Sequence, residues 1–351
     1  MRLLTGGLER TEMAQVLEAP VACARPEEID DERTLVDDYA RTIEIINGSL
    51  TDLPDLPFGH ILNDRFQVIK QLGKGGIGSV YLCLDLKTDS RVALKVSNYR
   101  ETSEHLAAES ETLTQLGCSR PNIVNCLAAG ADFIVMEYIE GESLKSVIHS
   151  ISASERAEHY TDHAIAALRI IREVLIGLEF AHNRGHVHAD LSPDNIMLRN
   201  GLTDHNVTII DWGLGRSYNQ RIPGTLMGKI GYMAPEQARS EDIDGRADVY
   251  SAGLLLYEML TGSRPYQSLL DRELLVARER GVAFNRQVLQ RWFENLDQSL
   301  CASITNLLLR MTAARRDEND EDSGPTRFQS AFDARLAVER ILQDIEVAQS
   351  G

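Results

Sequence analysis

A glycine-rich segment, residues 73–78 (GKGGIG), separates two short apolar runs at residues 66–72 and 79–84. Short runs of β-branched and apolar residues next to glycine predict strands. The dinucleotide-binding form of this glycine pattern has to open a helix, whereas here the glycines lead into a second predicted strand. We therefore predict a β-turn-β flap, whose glycines let the backbone approach the phosphates of a nucleotide closely.

The rest of the chain divides into a β-rich part followed by a helical part. Further apolar runs predict strands at residues 92–96 and 133–138, and the pattern at residues 103–116 predicts one helix between them. Beyond residue 143, apolar residues recur at spacings of three and four. This periodicity predicts long helices at residues 161–182, 247–260 and 328–345.

Composition and charge exclude several classes of protein. The net charge is −17, and residues 1–60 hold 13 acidic residues against 5 arginines, which argues against nucleic acid and anionic membranes as partners. The longest stretch without a charged residue has 12 residues (298–309), shorter than the roughly 20 apolar residues that span a bilayer. Five cysteines without C-x-x-C spacing predict neither a disulfide framework nor a zinc site. With no apolar signal near the amino terminus, we predict a cytoplasmic protein, and delivery into another cell stays open.

Four motifs accompany the glycine-rich segment in a fixed order. They are VALK at residues 92–95, HADLSPDN at 188–195, DWG at 211–213 and APE at 234–236. This set resembles the eukaryotic-like serine/threonine protein kinases of bacterial type. The resemblance covers roughly residues 64–346.

The resemblance implies an α+β, bilobal protein-kinase fold, with a β-rich N-lobe that carries one regulatory helix and a mainly helical C-lobe. The N-lobe is expected over residues 63–137 and the C-lobe over residues 138–346. Residues 1–62 are expected to form an acidic extension, partly disordered or used for docking, and residues 347–351 a tail.

The resemblance also implies catalytic roles. Lys95 is expected to hold the ATP phosphates and to pair with Glu109 on the predicted helix. Glu109 is preferred over Glu111 because it places apolar residues at plus four and plus seven, against the sheet. Asp190 is expected to orient the incoming hydroxyl and to accept its proton.

ATP with Mg²⁺ is the expected cofactor pair, with Mn²⁺ as the alternative metal. Asn195 and Asp211 are the expected metal ligands, because Mg²⁺ prefers hard oxygen ligands. Met136 is the expected gatekeeper beside a hinge at residues 137–139. The expected nucleotide-binding residues are Leu72, Gly73, Gly75, Gly78, Val80, Ala93, Lys95, Met136, Glu137, Ile139 and Met197.

Two departures from the family pattern concern regulation and packing. Ala189 replaces an arginine that, in many relatives, is neutralised by a phosphate on the activation segment. Phosphorylation there, for which Ser217 and Thr225 are available, is therefore not expected to be strictly required. Trp212 replaces the usual Phe and adds bulk, and Cys126 is the expected smaller neighbour.

Two further departures lie in the catalytic machinery itself. Ser192 stands where a phosphate-binding lysine is usual, and Lys229 stands where a threonine is usual. We interpret the pair as one exchange, in which both residues are catalytic and the flexible Lys229 reaches Asp190 and the γ-phosphate from the opposite wall. In the alternative interpretation, Lys229 points to solvent and Ser192 fills space.

Two residues of the predicted C-lobe have expected structural roles. Asp248 is expected to tie the catalytic loop to the central helix, and Glu236 to pair with Arg327.

We expect ATP-dependent phosphorylation of serine and threonine hydroxyls on protein substrates. A pseudokinase or scaffold stays open because of Ala189, Ser192 and Trp212. A small-molecule phosphotransferase also stays open, because a small residue before the catalytic aspartate and a non-lysine after it occur in such enzymes. Thr34, in a T-x-x-D pattern, is a candidate phosphorylation site for a phosphothreonine-reading partner, and the alternative for this segment is a solvated acidic tail.

Overall fold

The computed structural model describes residues 55–75, 78–98, 103–117, 122–199, 207–213, 216–217, 229–239, 241–265, 297–313 and 326–350. Thr34, Thr225 and the first 54 residues of the predicted extension lie outside the described residues.

The amino-terminal lobe is an antiparallel sheet with one helix. Its elements are β1 (Ile61–Leu62), β2 (Phe66–Lys74), β3 (Gly78–Asp85), β4 (Ser90–Ser97), α1 (Ser103–Leu116), β5 (Cys126–Ala129) and β6 (Phe133–Glu137). The strands pair in the order β1-β2-β3-β4-β6-β5. The predicted flap is the β2–β3 hairpin, in which Gly73 lies opposite Val80.

Alternation along β4 decides which side chains face the helix. Val92, Leu94 and Val96 are buried in one apolar cluster with residues of β2 and β3. Ala93 packs against a second cluster, which includes Leu106 and other apolar residues of α1. Because successive side chains of a strand point to opposite faces, Lys95 shares the face of Ala93, on the side of α1.

The carboxyl-terminal part is mainly helical. Its helices are α2 (Leu144–Ser150), α3 (Ala153–Glu158), α4 (Tyr160–His182), α5 (Pro235–Ala238), α6 (Gly245–Thr261), α7 (Gln298–Met311) and α8 (Ala331–Ser350). Short strands lie between them: β7 (Glu142–Ser143), β8 (His186–Val187), β9 (Ile196–Leu198), β10 (Val207–Ile209) and β11 (Arg216–Ser217). Helix α6 is buried along nearly its whole length, and α4, α7 and α8 pack against it.

Polar residues fix the starts of several helices. Ser143, Ser152, Asp244 and Asp297 each accept a hydrogen bond from a backbone amide of the first turn that follows. Helix α6 ends at Gly262, whose φ of 77° is the left-handed conformation that glycine adopts without strain. These caps explain where α2, α3, α6 and α7 begin and where α6 ends.

The structure shows the predicted division into a β-rich and a helical part, with three differences at the boundaries. Strand β1 pairs with β2, so residues 61–62 of the predicted extension belong to the sheet. Helix α8 begins at Ala331 rather than at residue 328, because Ser330 Oγ accepts a hydrogen bond from the backbone amide of Asp333. It continues to Ser350, so most of the predicted tail is helical. Among the described helices, none combines the length and apolar character needed to cross a membrane.

Candidate active site

Lys95 joins the two lobes at the cleft. Its Nζ donates to Glu109 Oε2 at 2.6 Å and to Asp211 Oδ1 at 2.8 Å. Lys95 and Glu109 are both buried, whereas Glu111 is exposed. The predicted ion pair therefore forms with Glu109, and Asp211 completes a three-residue cluster.

Burial and charge pull the pKa values of this cluster in different directions. Burial alone would lower the pKa of Lys95, but the neighbouring carboxylates of Glu109 and Asp211 outweigh it and raise the pKa. Burial raises the pKa of Glu109 to about 7, against the attraction of Lys95. Although burial acts to raise the pKa of Asp211, the charge and hydrogen bond of Lys95 hold it below its ordinary value. The Lys95 ammonium group is therefore held in its charged form in the cleft.

Asp190 lies in the catalytic loop and is held from two sides. Asn195 Nδ2 donates to the Asp190 backbone carbonyl at 2.8 Å and to its Oδ2 at 3.3 Å. The backbone amide of Lys229 donates to Asp190 Oδ1 at 2.8 Å. Burial raises the pKa of Asp190, against the Lys229 amide and the nearby charges of His188 and Lys229. The carboxylate is therefore oriented and more basic than that of an ordinary aspartate.

Lys229 approaches Asp190 through its backbone amide and not, as predicted, through its ammonium group, which contacts two other residues of the catalytic loop. Its Nζ is 2.9 Å from Ser192 Oγ and 2.7 Å from Asp194 Oδ2. Lys145 Nζ contacts the other Asp194 oxygen at 3.0 Å. Burial acts to raise the pKa of Asp194, but its hydrogen bonds with Lys229 and Lys145 lower it. Sequence reasoning missed Asp194 and Lys145, although a carboxylate two residues after Ser192 is a natural counter-ion for a displaced lysine.

The backbone of the catalytic loop is fixed by Asp248, as predicted. Its carboxylate accepts hydrogen bonds from the amides of His188 at 2.8 Å and Ala189 at 2.9 Å. His182 Nε2 lies 2.8 Å from the same carboxylate. Gln237 Nε2, which sequence reasoning missed, donates to the Ala189 carbonyl at 2.8 Å. These bonds hold Ala189 at a φ of +62°, a conformation that alanine rarely adopts.

The predicted nucleotide-binding residues lie on or beside four strands of the sheet (β2, β3, β4 and β6) and on β9. Gly75 N donates to Gly78 O at 2.9 Å at the end of the flap. Val80 lies opposite Lys95, and Ala93 lies opposite Met136, across adjacent strands. The other members are Leu72, half exposed on β2, and Met197 on β9.

The hinge is anchored by Glu137. Its Oε1 accepts hydrogen bonds from the backbone amide and side-chain amide of Asn125, both at 2.8 Å, and its own backbone amide donates to the Asn125 carbonyl at 3.0 Å. Met136 and Ile139 on either side are buried. The Glu137 side chain is therefore part of the hinge scaffold.

Trp212, next to Asp211, is fully buried and packs against His188, with 4.7 Å between the ring centroids. Cys126, its predicted smaller neighbour, packs against the same apolar cluster. Arg327 and Glu236 form the predicted ion pair, and both side chains are buried.

The chain is similar in sequence to known protein kinases. Residues 66–317 match the family model for the protein kinase domain. The chain is 29% identical to serine/threonine-protein kinase PrkC of Bacillus subtilis over 83% of this chain and 45% of the relative. It is 29% identical to the probable serine/threonine-protein kinase PknB of Lactococcus lactis, over 74% of this chain and 40% of the relative. It is 35% identical to serine/threonine-protein kinase PknL of Mycobacterium tuberculosis, over 63% of this chain and 54% of the relative.

The two lobes and the motif residues at the cleft between them have the arrangement of a protein kinase domain. The chain belongs to the protein kinase domain family, and the resemblance to bacterial-type serine/threonine kinases and the bilobal α+β fold are confirmed. Membership implies ATP and a divalent metal as cofactors. The chain spans less than half the length of the first two relatives.

Proposed function

We propose that this chain is an active serine/threonine protein kinase that transfers the γ-phosphoryl group of ATP to protein hydroxyls. The observation that carries the proposal is the convergence of Lys95, Glu109 and Asp211 in hydrogen-bonding contact. Nearby, Asp190 is oriented by Asn195 and by a backbone amide. Phosphoryl transfer requires mainly positioning and charge neutralisation, and this arrangement supplies both.

In the proposed complex, the adenine ring lies between Val80 and Ala93 on one side and Met197 on the other. Lys95 binds the α- and β-phosphates beneath the flap. The backbone N–H of Glu137 already donates to the Asn125 carbonyl. The hydrogen bonds from the hinge to adenine must therefore come from backbone groups later in the hinge.

The residues proposed to bind the metal fit a hard cation. Asn195 uses its amide nitrogen on Asp190, which leaves its side-chain oxygen for a metal. Asp211 gives one oxygen to Lys95, yet its side chain is 43% exposed, so the carboxylate is accessible from the cleft. Mg²⁺ binds through one or two carboxylates plus phosphate oxygens and water, and when bound it would neutralise phosphate charge.

Asp190 is the proposed base. The substrate hydroxyl oxygen bonds to the γ-phosphorus, the bond from that phosphorus to the bridging oxygen of ADP breaks, and the hydroxyl proton passes to the Asp190 carboxylate. The raised pKa of Asp190 favours this acceptance.

We also propose that activity is not strictly dependent on phosphorylation of the activation segment. Hydrogen bonds from Ala189 to Asp248 and from Gln237 to Ala189 hold the catalytic loop with groups of the chain itself. Residue 189 is alanine rather than arginine, so a phosphate on the activation segment would find no guanidinium at this position to neutralise.

Transfer of label from γ-labelled ATP to a generic basic protein, with Mg²⁺ and with Mn²⁺, tests the proposal. We expect phosphoserine and phosphothreonine with the wild-type chain, none with Asp190→Asn, and undiminished transfer with Asp162→Asn, an exposed carboxylate on α4. Failure to label any acceptor would favour a scaffold. Labelling of small alcohols without any protein would favour a small-molecule phosphotransferase.

The regulatory proposals have their own readouts. A preparation that mass spectrometry shows to be unphosphorylated at Ser217 and Thr225 should be active from the first turnover, and a lag would contradict independence. Phosphate on Thr34 after incubation with ATP would support a phosphothreonine-reading partner, and an unmodified Thr34 would end that idea.

A further inference from the structure

Asn98 bridges the two strands of the flap. It follows the end of β4, three residues after Lys95, and is 9% exposed. Its Nδ2 donates to the Gly75 carbonyl at 2.8 Å, and its Oδ1 accepts a hydrogen bond from Ser79 Oγ at 2.9 Å. One buried amide therefore holds residues on both sides of the tip of the hairpin.

The flap is also pressed against β4 at a second point. A Cβ atom on Gly78 would lie 2.4 Å from the Val96 carbonyl oxygen, so the flap backbone and β4 are in direct contact there. Contact with Val96 limits how closely the strands approach, and Asn98 limits how far the tip can move away. Because Lys95 also lies on β4, the positions of the flap and of Lys95 are both set relative to this strand.

We propose that Asn98 is a positioning residue that sets the distance between the flap backbone and the phosphate-binding Lys95. The proposal rests on the proposed binding of ATP in this cleft. An asparagine suits the role because its side chain carries a donor and an acceptor, and Gly75 and Ser79 require one of each. Aspartate at this position would place its carboxylate against the Gly75 carbonyl with no hydrogen to share.

The test compares the affinities of ATP, with Mg²⁺, and adenosine by calorimetry, because adenosine occupies the adenine site without phosphates. Asn98→Ala removes both hydrogen bonds, and Asn98→Asp sets a carboxylate against the Gly75 carbonyl. For each variant we expect ATP affinity to fall about tenfold, which corresponds to two hydrogen bonds of about threefold each. Adenosine affinity should stay within about twofold. In turnover assays, the KM for ATP should rise more than kcat falls.

Two further variants separate positioning from stability. Asn122→Ala removes an amide that donates to Glu173 and Val207 in the helical lobe, so it should lower Tm without changing the ratio of ATP to adenosine affinity. Ser79→Ala removes one bond of the flap bridge and should weaken ATP alone by about threefold, even if Asn98 variants fail to fold.

Equal losses for ATP and adenosine in the Asn98 and Ser79 variants, or unchanged ATP affinity, would overturn the inference. A wild-type chain that binds ATP without transferring phosphate would refute the proposed function and leave the Asn98 comparison valid. A wild-type chain that binds no ATP would refute both.

Discussion

Replacing Lys229 by alanine tests whether its charge takes the place of the lysine that is usual at the position of Ser192. The Lys229 ammonium lies 2.9 Å from Ser192 Oγ, while the Lys229 backbone amide lies 2.8 Å from the Asp190 carboxylate. Lys229 therefore contacts both Asp190, the proposed base, and Ser192, which stands where the family pattern usually has a lysine. We propose that its charge serves the γ-phosphate in place of that lysine.

The expected magnitude follows from charge and exposure. Two unit charges about 4 Å apart interact by about 4 kcal/mol at an effective dielectric constant of about 20. Lys229 is 42% exposed and shares its charge with Asp194, so solvent and this neighbour reduce the contribution. A remaining transition-state term of about 3 kcal/mol corresponds to a loss on the order of 10²–10³ in kcat.

The assay is steady-state phosphorylation of a protein substrate, with Lys145→Ala as the matched control. Lys145 binds the same Asp194 carboxylate from the other side, so its removal should change kcat by less than about threefold. The double variant Ser192→Lys/Lys229→Thr restores the usual arrangement and should recover more activity than either single change.

The pH profile gives a second, independent readout. The Lys229 charge lowers the pKa of Asp190, and the Lys229 backbone amide is retained in the alanine variant. In Lys229→Ala the pKa of Asp190 should therefore rise, and the acidic limb of the plot of kcat against pH should move to higher pH. An alanine variant with undiminished kcat and an unmoved limb, or equal losses for Lys229→Ala and Lys145→Ala, would refute the exchange.

Three further outcomes are expected. Lys95→Met and Asp211→Ala should each abolish transfer without preventing folding, and activity within about tenfold of the wild type in either would contradict the assigned nucleotide site. Because burial raises the pKa of Asp190 and a base must be deprotonated, kcat should rise with pH through a pKa above the ordinary value of about 4, as measured in a pH–rate profile. Asp248→Asn should lower the free energy of unfolding by about 2–4 kcal/mol in urea denaturation, because a buried carboxylate that accepts two amide hydrogen bonds and contacts His182 is lost.

The lobes were predictable because their apolar patterns are regular. The helix predicted at residues 103–116 is observed with the same bounds, and the strand predicted at 92–96 lies inside Ser90–Ser97. Motifs identified Lys95 and Asp211, which are 116 positions apart and form a hydrogen bond. Two boundaries shifted for identifiable reasons: residues 61–62 pair with β2, and Ser330 caps the start of α8.

Other features of the site could not be predicted because they depend on tertiary placement. Asn98 and Lys145 belong to no motif, and Gln237 follows APE directly but received no role from the sequence; the partners of all three lie far along the chain. Backbone conformation is equally hidden: Ala189 and Asp211 both have φ near +60°, which alanine rarely adopts and which is uncommon even for aspartate. Such strain persists where surrounding bonds enforce it, and in Ala189 those bonds come from Asp248 and Gln237.

The cleft is thus built by two kinds of interaction with different consequences. Apolar clusters hold each lobe together, whereas single polar side chains set the spacing between its working parts. Asn98 fixes the flap to β4, Glu109 connects β4 with α1 through Lys95, and Asp248 fixes the catalytic loop to α6. Catalysis is lost at displacements of the reacting groups that are far smaller than those that unfold a lobe. Removal of a polar connection at the flap should therefore lower the affinity for ATP more than it lowers Tm. Truncation of a buried residue such as Leu94 should have its main effect on Tm.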